Sequence, residues 1–203
     1  MDKSFNGGFF KELSEEVVQN WVSPNVKEND CCPCVFKMLD IVTDDELVYL
    51  LENFGDNGMT GQVLLGFLSD KYPDYDFSYF SADFRRKTME EKKGLLLKIF
   101  SSIKRGYGVV GGITRINGSK HCVVFSKDKR GGVAIFDSQF NKSYLKTGGV
   151  MQFLNENRVM VMHLITSGHK EDDEPLSIDE DGVVERYYDY EEDVYYDAEE
   201  GYD

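Results

Sequence analysis

The 203-residue sequence has few of the features that would assign it to a membrane or secreted class. No apolar run approaches the roughly 18 residues that a membrane span requires, and the N-terminus has no apolar stretch typical of a signal peptide. Four cysteines are present, but three of them fall within four consecutive positions, which is a poor layout for a disulfide framework. We therefore expect a cytoplasmic protein with reduced thiols and no membrane partner.

An excess of positive charge is also absent. The formal net charge is -14, and residues 170–203 account for all of it, with 16 acidic and two basic residues. The rest of the chain is neutral, with 21 residues of each sign. We therefore predict a globular domain over residues 1–168 and a disordered, acidic, Tyr-rich tail over residues 169–203. Such a tail would repel nucleic acid, so no nucleic-acid partner is expected, whereas it could dock a basic protein partner.

Helical patterns dominate the first hundred residues. An amphipathic stripe covers residues 9–22, and a nearly continuous apolar segment follows Pro33, a residue suited to a first helical turn. Thr43 and Glu46 form a capping-box pattern, which predicts a helix to about residue 54. Further helices are predicted over residues 60–68, 88–103 and 148–157.

Strand patterns follow, with a short candidate at residues 74–80 and longer ones at 107–116, 121–126, 133–137 and 159–165. Asn117-Gly118 lies between two of them and is a strong hairpin signal. Gly111-Gly112 inside a strand pattern predicts a β-bulge. Helices followed by neighbouring antiparallel strands indicate an α+β fold.

Three separated residues fit the chemistry of a thiol hydrolase. Cys31 precedes the apolar helix, and a helix N-terminus favours a thiolate when an imidazole is close. His121 opens a predicted strand, and Asp137 ends the next one, where it could orient the ring. His163 lies in an apolar strand pattern and is predicted to be a hydrogen-bonded structural residue, and His169 is predicted to be exposed.

The segments around these residues resemble the papain-like cysteine peptidase superfamily, and most closely its bacteriocin-processing type. The segments are Cys31-Cys-Pro before an apolar helix, His121-Cys-Val-Val-Phe, and Val133-Ala-Ile-Phe-Asp137-Ser-Gln. The resemblance implies a papain-like fold, in which an N-terminal helical part carries the catalytic helix and an antiparallel sheet follows. It also implies a Cys31, His121 and Asp137 triad, with the Asn25 side chain, six residues before Cys31, stabilising the oxyanion. The family usually has Gln at that position and Gly where Cys32 stands.

The implied function is hydrolysis of a peptide, isopeptide or amide bond in a protein or peptide substrate, with a ubiquitin-like protein as one candidate and no cofactor. Cys34 is an alternative nucleophile, because Cys34-Val-Phe-Lys resembles the helix start of ovarian-tumour-type deubiquitinases. A second alternative is an inactive papain-like scaffold that serves protein interaction or associates with a capsid. A third is a zinc site, although the cysteine spacing is not that of common structural sites; its ligands would be Cys31, Cys32, Cys34 and Cys122.

Overall fold

A computed structural model of the protein describes residues 12–169 and 185–186. Within these ranges it contains six helices and one antiparallel sheet, so the predicted α+β class is confirmed. None of the described helices is long and apolar enough to cross a membrane. The predicted tail, residues 169–203, lies outside the described residues except for His169, which ends a strand, and for Glu185 and Arg186.

Three of the described helices begin at a threonine that caps them with its side chain. Thr43, Thr60 and Thr88 each accept a hydrogen bond from the backbone N–H three residues later, which satisfies a donor that has no partner inside the helix. At Thr43 and Thr88 a glutamate completes a capping box. The six helices are α1 Glu15–Gln19, α2 Cys31–Met38, α3 Asp44–Phe54, α4 Gly61–Lys71, α5 Met89–Ser101 and α6 Lys146–Glu156.

The first helix is much shorter than predicted. It ends at Gln19, and the Trp21 indole N–H donates instead to the Ser138 carbonyl 117 residues away. Val22 is 81% exposed. The amphipathic pattern therefore continues beyond the helix because Trp21 packs against the core from the irregular segment that follows it.

The sheet has the strand order β5-β4-β3-β2-β6-β1-β7, and every neighbouring pair is antiparallel. The predicted hairpin around Asn117-Gly118 joins the second and third strands. Glu185–Arg186 pairs with Tyr79 and Phe80 at one edge of the sheet. The strands are β1 Tyr75–Asp83, β2 Tyr107–Arg115, β3 Lys120–Lys127, β4 Val133–Asp137, β5 Lys142–Leu145, β6 Val159–His169 and β7 Glu185–Arg186.

Strand β3 lies inside the sheet, and six consecutive residues, 121–126, are buried. Helices α2 and α5 pack against this strand, and α6 packs against β4. A run without polar alternation is typical of a strand that is covered on both faces. The buried environment extends to the end of β4, where all five residues are buried. Side chains at these strand ends are therefore held in fixed positions.

The β-bulge predicted at Gly111-Gly112 is wrong. Both glycines lie in regular register with β3 and β6, and the register shifts only between Thr114 and Arg115. A Cβ atom on Gly111 would lie 2.7 Å from ring carbons of the buried Phe125. Glycine is present there because an aromatic ring packs directly on the backbone.

Candidate active site

His121 and Asp137 meet because β3 and β4 are antiparallel neighbours. His121 is the second residue of β3 and Asp137 is the last residue of β4, so the two positions share one end of the sheet. The His121 Nε2 atom is 2.8 Å from Asp137 Oδ2, and the residues are 6% and 5% exposed. Asp137 Oδ1 also accepts a hydrogen bond from the Phe140 N–H. Because the Asp137 carboxylate accepts a hydrogen bond from Nε2–H, Nδ1 is the ring nitrogen that remains for a second partner.

That other partner is Cys31, which is the first residue of α2 and is half-buried. The two groups lie close enough to affect each other's protonation: His121 acts to lower the pKa of the Cys31 thiol, and Cys31 acts to raise the pKa of His121. The structure therefore brings together Cys31, His121 and Asp137 in the order that a nucleophile, a base and an orienting carboxylate require.

The other two cysteines of α2 point into the interior. Cys34 is completely buried, and its sulfur lies 3.7 Å from Ser23 Oγ. Cys32 is buried and contacts both Cys31 and the Cys122 thiol of β3. Of the three clustered cysteines, Cys31 is the one whose pKa His121 lowers most directly, and Cys34 is completely buried, as expected of a small core residue.

The Cys31 thiol and the His121 imidazole are both held in their protonated forms. Burial would lower the pKa of His121, but the hydrogen bonds to Asp137 and Cys31 outweigh it and raise the pKa to about 9. The pKa of the Cys31 thiol is raised by the hydrogen bond with Cys32 and by burial, while His121 opposes this rise. The reactive form, in which Cys31 and His121 hold one proton between them, should therefore become more populated as the pH rises above neutrality.

Replacing Cys32 with alanine should make Cys31 more reactive near neutral pH. The Cys32 hydrogen bond is the largest cause of the raised Cys31 pKa, so its loss favours the thiolate. At a fixed neutral pH the thiolate fraction rises by about tenfold for each unit by which the pKa falls. Alkylation by iodoacetamide is measured from pH 6 to 10, and the labelled residue is located by mass spectrometry. The alkylation rate of Cys31 should begin to rise at a lower pH in Cys32→Ala than in the parent protein.

The matched control for that experiment is Cys122→Ala, which removes a buried thiol that contacts Cys32 and leaves the hydrogen bond between Cys31 and Cys32 in place. It should shift the profile less than Cys32→Ala does. An unchanged profile for Cys32→Ala would show that Cys32 does not control the Cys31 pKa.

Asn25 lies on the exposed loop that precedes α2. Its backbone N–H donates to Ser23 Oγ at 3.3 Å, and its side-chain Oδ1 accepts a hydrogen bond from Gln139 Nε2 at 3.0 Å. The sequence offered no periodic signal for Gln139, a buried residue in the turn after β4. Ser138 and Gln139 directly follow Asp137 in the segment that carries the family resemblance, which is the sequence signal that could have pointed to this turn.

His163 lies outside this cluster, and the prediction of a hydrogen-bonded strand histidine is confirmed. Its ring nitrogens bind Ser81 Oγ and Thr114 Oγ1, each at 2.8 Å. Burial, together with the charge of Lys120, lowers the pKa of His163 to about 4, so the ring is neutral. The His169 side chain, which was predicted to be exposed, lies outside the described residues.

No protein-family model matches this sequence, and no curated protein matches it. Among residues 12–169 and 185–186, no three His, Cys, Asp or Glu side chains are arranged to hold a metal ion. The zinc alternative, with its four cysteines, therefore gains no support from the geometry.

Proposed function

We propose that the protein is a thiol hydrolase of papain-like type, which cleaves a peptide, isopeptide or amide bond through Cys31, His121 and Asp137. The observation that carries this proposal is the buried hydrogen bond between His121 Nε2 and Asp137 Oδ2, together with the effect that Cys31 and His121 have on each other's pKa. A half-buried thiol at a helix N-terminus, beside a buried imidazole that is bound to a buried carboxylate, suits nucleophilic catalysis better than a structural role.

In the proposed reaction, the neutral form of His121, which becomes populated as the pH rises toward 9, accepts the proton of the Cys31 thiol at Nδ1. The sulfur then attacks the carbonyl carbon of the scissile bond. The carbonyl oxygen becomes an oxyanion, which the Asn25 amide and a backbone N–H at the start of α2 stabilise. When the tetrahedral intermediate collapses, the bond to the leaving amine breaks and His121 gives that amine its proton. Water then attacks the thioester with His121 as base, which releases the acid and restores the thiol.

Apolar side chains beside the site favour a peptide or protein substrate over a small polar amide. The Phe140 ring is 54% exposed and lies 5.8 Å from the His121 ring, measured between centroids. Val26, next to Asn25, is 74% exposed. Exposed aromatic and aliphatic groups that flank a reactive centre are suited to bind the side chains of an extended chain.

An inactive papain-like scaffold is the second candidate, and one observation favours it. Cys32 stands where the resembled family has glycine, and its hydrogen bond raises the pKa of the neighbouring nucleophile. In an inactive scaffold the buried His121 and Asp137 pair would only stabilise the fold, and Cys31 would react at the rate of an ordinary thiol.

The test is labelling by a peptide-like probe that carries a carbonyl electrophile, comparing the parent protein with Cys31→Ala and Cys34→Ala. We expect rapid labelling of the parent at Cys31, no labelling of Cys31→Ala, and near-normal labelling of Cys34→Ala. Labelling that survives in Cys31→Ala but not in Cys34→Ala would move the nucleophile to Cys34. Labelling of the parent no faster than that of a small free thiol would support the scaffold instead.

A further inference from the structure

Three consecutive residues at the end of β4, residues 137–139, bind different parts of the candidate site. Asp137 orients His121, and the Ser138 carbonyl accepts the Trp21 indole N–H at 2.8 Å. The Gln139 carbonyl accepts a hydrogen bond from Ser23 Oγ at 2.7 Å. This short segment therefore connects the sheet end that carries the base to the chain that precedes α2.

The Gln139 side chain makes the most specific of these connections. It is 3% exposed, and its Nε2 atom donates to three oxygens: Asn25 Oδ1 at 3.0 Å, the Glu28 carbonyl at 2.8 Å and the Lys27 carbonyl at 3.3 Å. Backbone carbonyls only accept hydrogen bonds, so the Gln139 atom that faces them is the amino nitrogen. The Asn25 atom in contact with that nitrogen must then be its oxygen.

This assignment fixes the orientation of the Asn25 carboxamide. With Oδ1 occupied by Gln139, the Nδ2 amino group is on the opposite branch of the side chain, and Asn25 is exposed. Both N–H bonds of Gln139 Nε2 are already used by acceptors inside the protein, so Gln139 is not itself available to an oxyanion. It can act on the reaction only through Asn25.

A second buried group holds the same loop from within. Asp30, which is fully buried immediately before Cys31, accepts the Val26 and Lys27 backbone N–H groups at its Oδ2 atom, at 2.7 and 2.5 Å. The loop from Asn25 to Glu28 is thus bound by Asp30 and by Gln139. Such a loop can hold a hydrogen-bond donor in place before a substrate arrives, which is the property that oxyanion stabilisation needs.

We propose that Gln139 is a positioning residue, which holds the Asn25 carboxamide so that its Nδ2 group meets the oxyanion of the acyl-transfer reaction. The inference rests on the proposed function and adds a residue to it. It makes residues 137–139 responsible for orienting both the base, through Asp137, and the oxyanion donor, through Gln139.

The experiment compares two reactions of the same thiol. Acylation of Cys31 by p-nitrophenyl acetate passes through an oxyanion, whereas alkylation by iodoacetamide does not. Loss of a single oxyanion donor slows such reactions by about 10²-fold to 10³-fold, so Asn25→Ala should slow acylation by about 10²-fold and Gln139→Ala by about 10-fold to 10²-fold. Alkylation should stay within about twofold of the parent in both variants.

The double variant separates positioning from a general loosening of the site. If Gln139 acts through Asn25, then adding Gln139→Ala to Asn25→Ala should slow acylation no further. Ser138→Ala is the matched control, because it removes a buried hydroxyl from the same turn, one that has no hydrogen-bond partner among the described residues. It should leave the ratio of acylation to alkylation unchanged. Gln139→Glu, which replaces the donor with an acceptor facing three oxygens, should lose at least as much acylation as Gln139→Ala.

Two results would overturn the inference. Equal slowing of acylation and alkylation in Gln139→Ala, or an additive loss in the double variant, would show that Gln139 serves only the structure and would leave the proposed function standing. A parent protein that is alkylated but never acylated would overturn the proposed function, and the inference with it. A variant that does not fold is recognised because Cys32, Cys34 and Cys122, which are buried in the folded protein, become alkylated as well as Cys31.

Discussion

Replacing Asp137 with asparagine should slow the acylation of Cys31 by about 10³-fold to 10⁴-fold, as expected when the residue that orients a catalytic histidine is lost. Asp137 accepts at His121 Nε2, which leaves Nδ1 for the thiol. The substituted amide can donate to Nε2, and the ring proton then moves to Nδ1, where it prevents the histidine from acting as a base. The rate is measured as release of p-nitrophenol in a single turnover.

The matched control is Asp128→Asn in the turn between β3 and β4. Asp128 Oδ1 also accepts two hydrogen bonds, from the backbone N–H groups of Arg130 and Gly132, but it lies at the other end of the same pair of strands. Its acylation rate should stay within about threefold of the parent, as is usual for surface substitutions far from the reacting groups. An acylation rate for Asp137→Asn within about threefold of the parent would contradict the role proposed for Asp137.

The loss of stability in Asp137→Asn should depend on pH. The pKa of folded His121 is raised from the usual 6.5 to about 9, so its protonation stabilises the fold fully below pH 6.5, and this contribution is lost as the pH rises through 9. Asp137→Asn should therefore lower the free energy of unfolding most near pH 6, by an amount on the order of 2–3 kcal/mol, and least near pH 10. Denaturant unfolding at these two pH values measures the difference, and titration of the imidazole by NMR should show a lower His121 pKa in the variant.

Replacing Gly111 with alanine should destabilise the protein by about 2–3 kcal/mol, the usual cost of inserting a methyl group into a well-packed core. The new Cβ atom would lie 2.7 Å from ring carbons of Phe125. That ring cannot withdraw easily, because it is completely buried and packs against the Phe100 ring at 5.5 Å between centroids. The free energy of unfolding in urea measures this cost.

Gly112→Ala is the natural comparison, because Gly112 is the next residue of the same strand. A Cβ atom there would have ordinary contacts, the nearest being the His121 carbonyl oxygen at 3.6 Å. Alanine loses less backbone entropy than glycine on folding, so this variant should be neutral or slightly stabilised. Equal destabilisation by both substitutions would show that the close approach of Phe125 does not explain Gly111.

Local signals predicted the elements that depend on local chemistry. The cap at Thr43 satisfies donors within one turn, and Asn117-Gly118 supplies the backbone geometry of a tight hairpin, with Gly118 at a φ of 80°. The meeting of His121 and Asp137 followed from the same kind of argument, since two strands joined by a short turn are antiparallel neighbours. These features could be read from the sequence because few residues determine them.

Features that depend on distant contacts could not be predicted. Strand β5 was missed because Tyr144 is its only buried side chain, so no apolar alternation marks it. The pairing of β6 with β1 and β2 joins segments far apart in the chain. The contact of Gly111 with Phe125 arises from packing across neighbouring strands, which sequence periodicity does not encode. Gln139 was missed for a similar reason, because its acceptors lie more than 110 residues earlier.

The hydrogen bond between Trp21 and the Ser138 carbonyl has a practical consequence. Trp21 is the only tryptophan of the chain, and its half-buried indole touches the turn that also contains Asp137 and Gln139. Indole emission responds to the polarity and hydrogen bonding around the ring. The intrinsic fluorescence of the protein therefore reports on this turn without any added label, and a ligand that displaces the turn would change the emission directly.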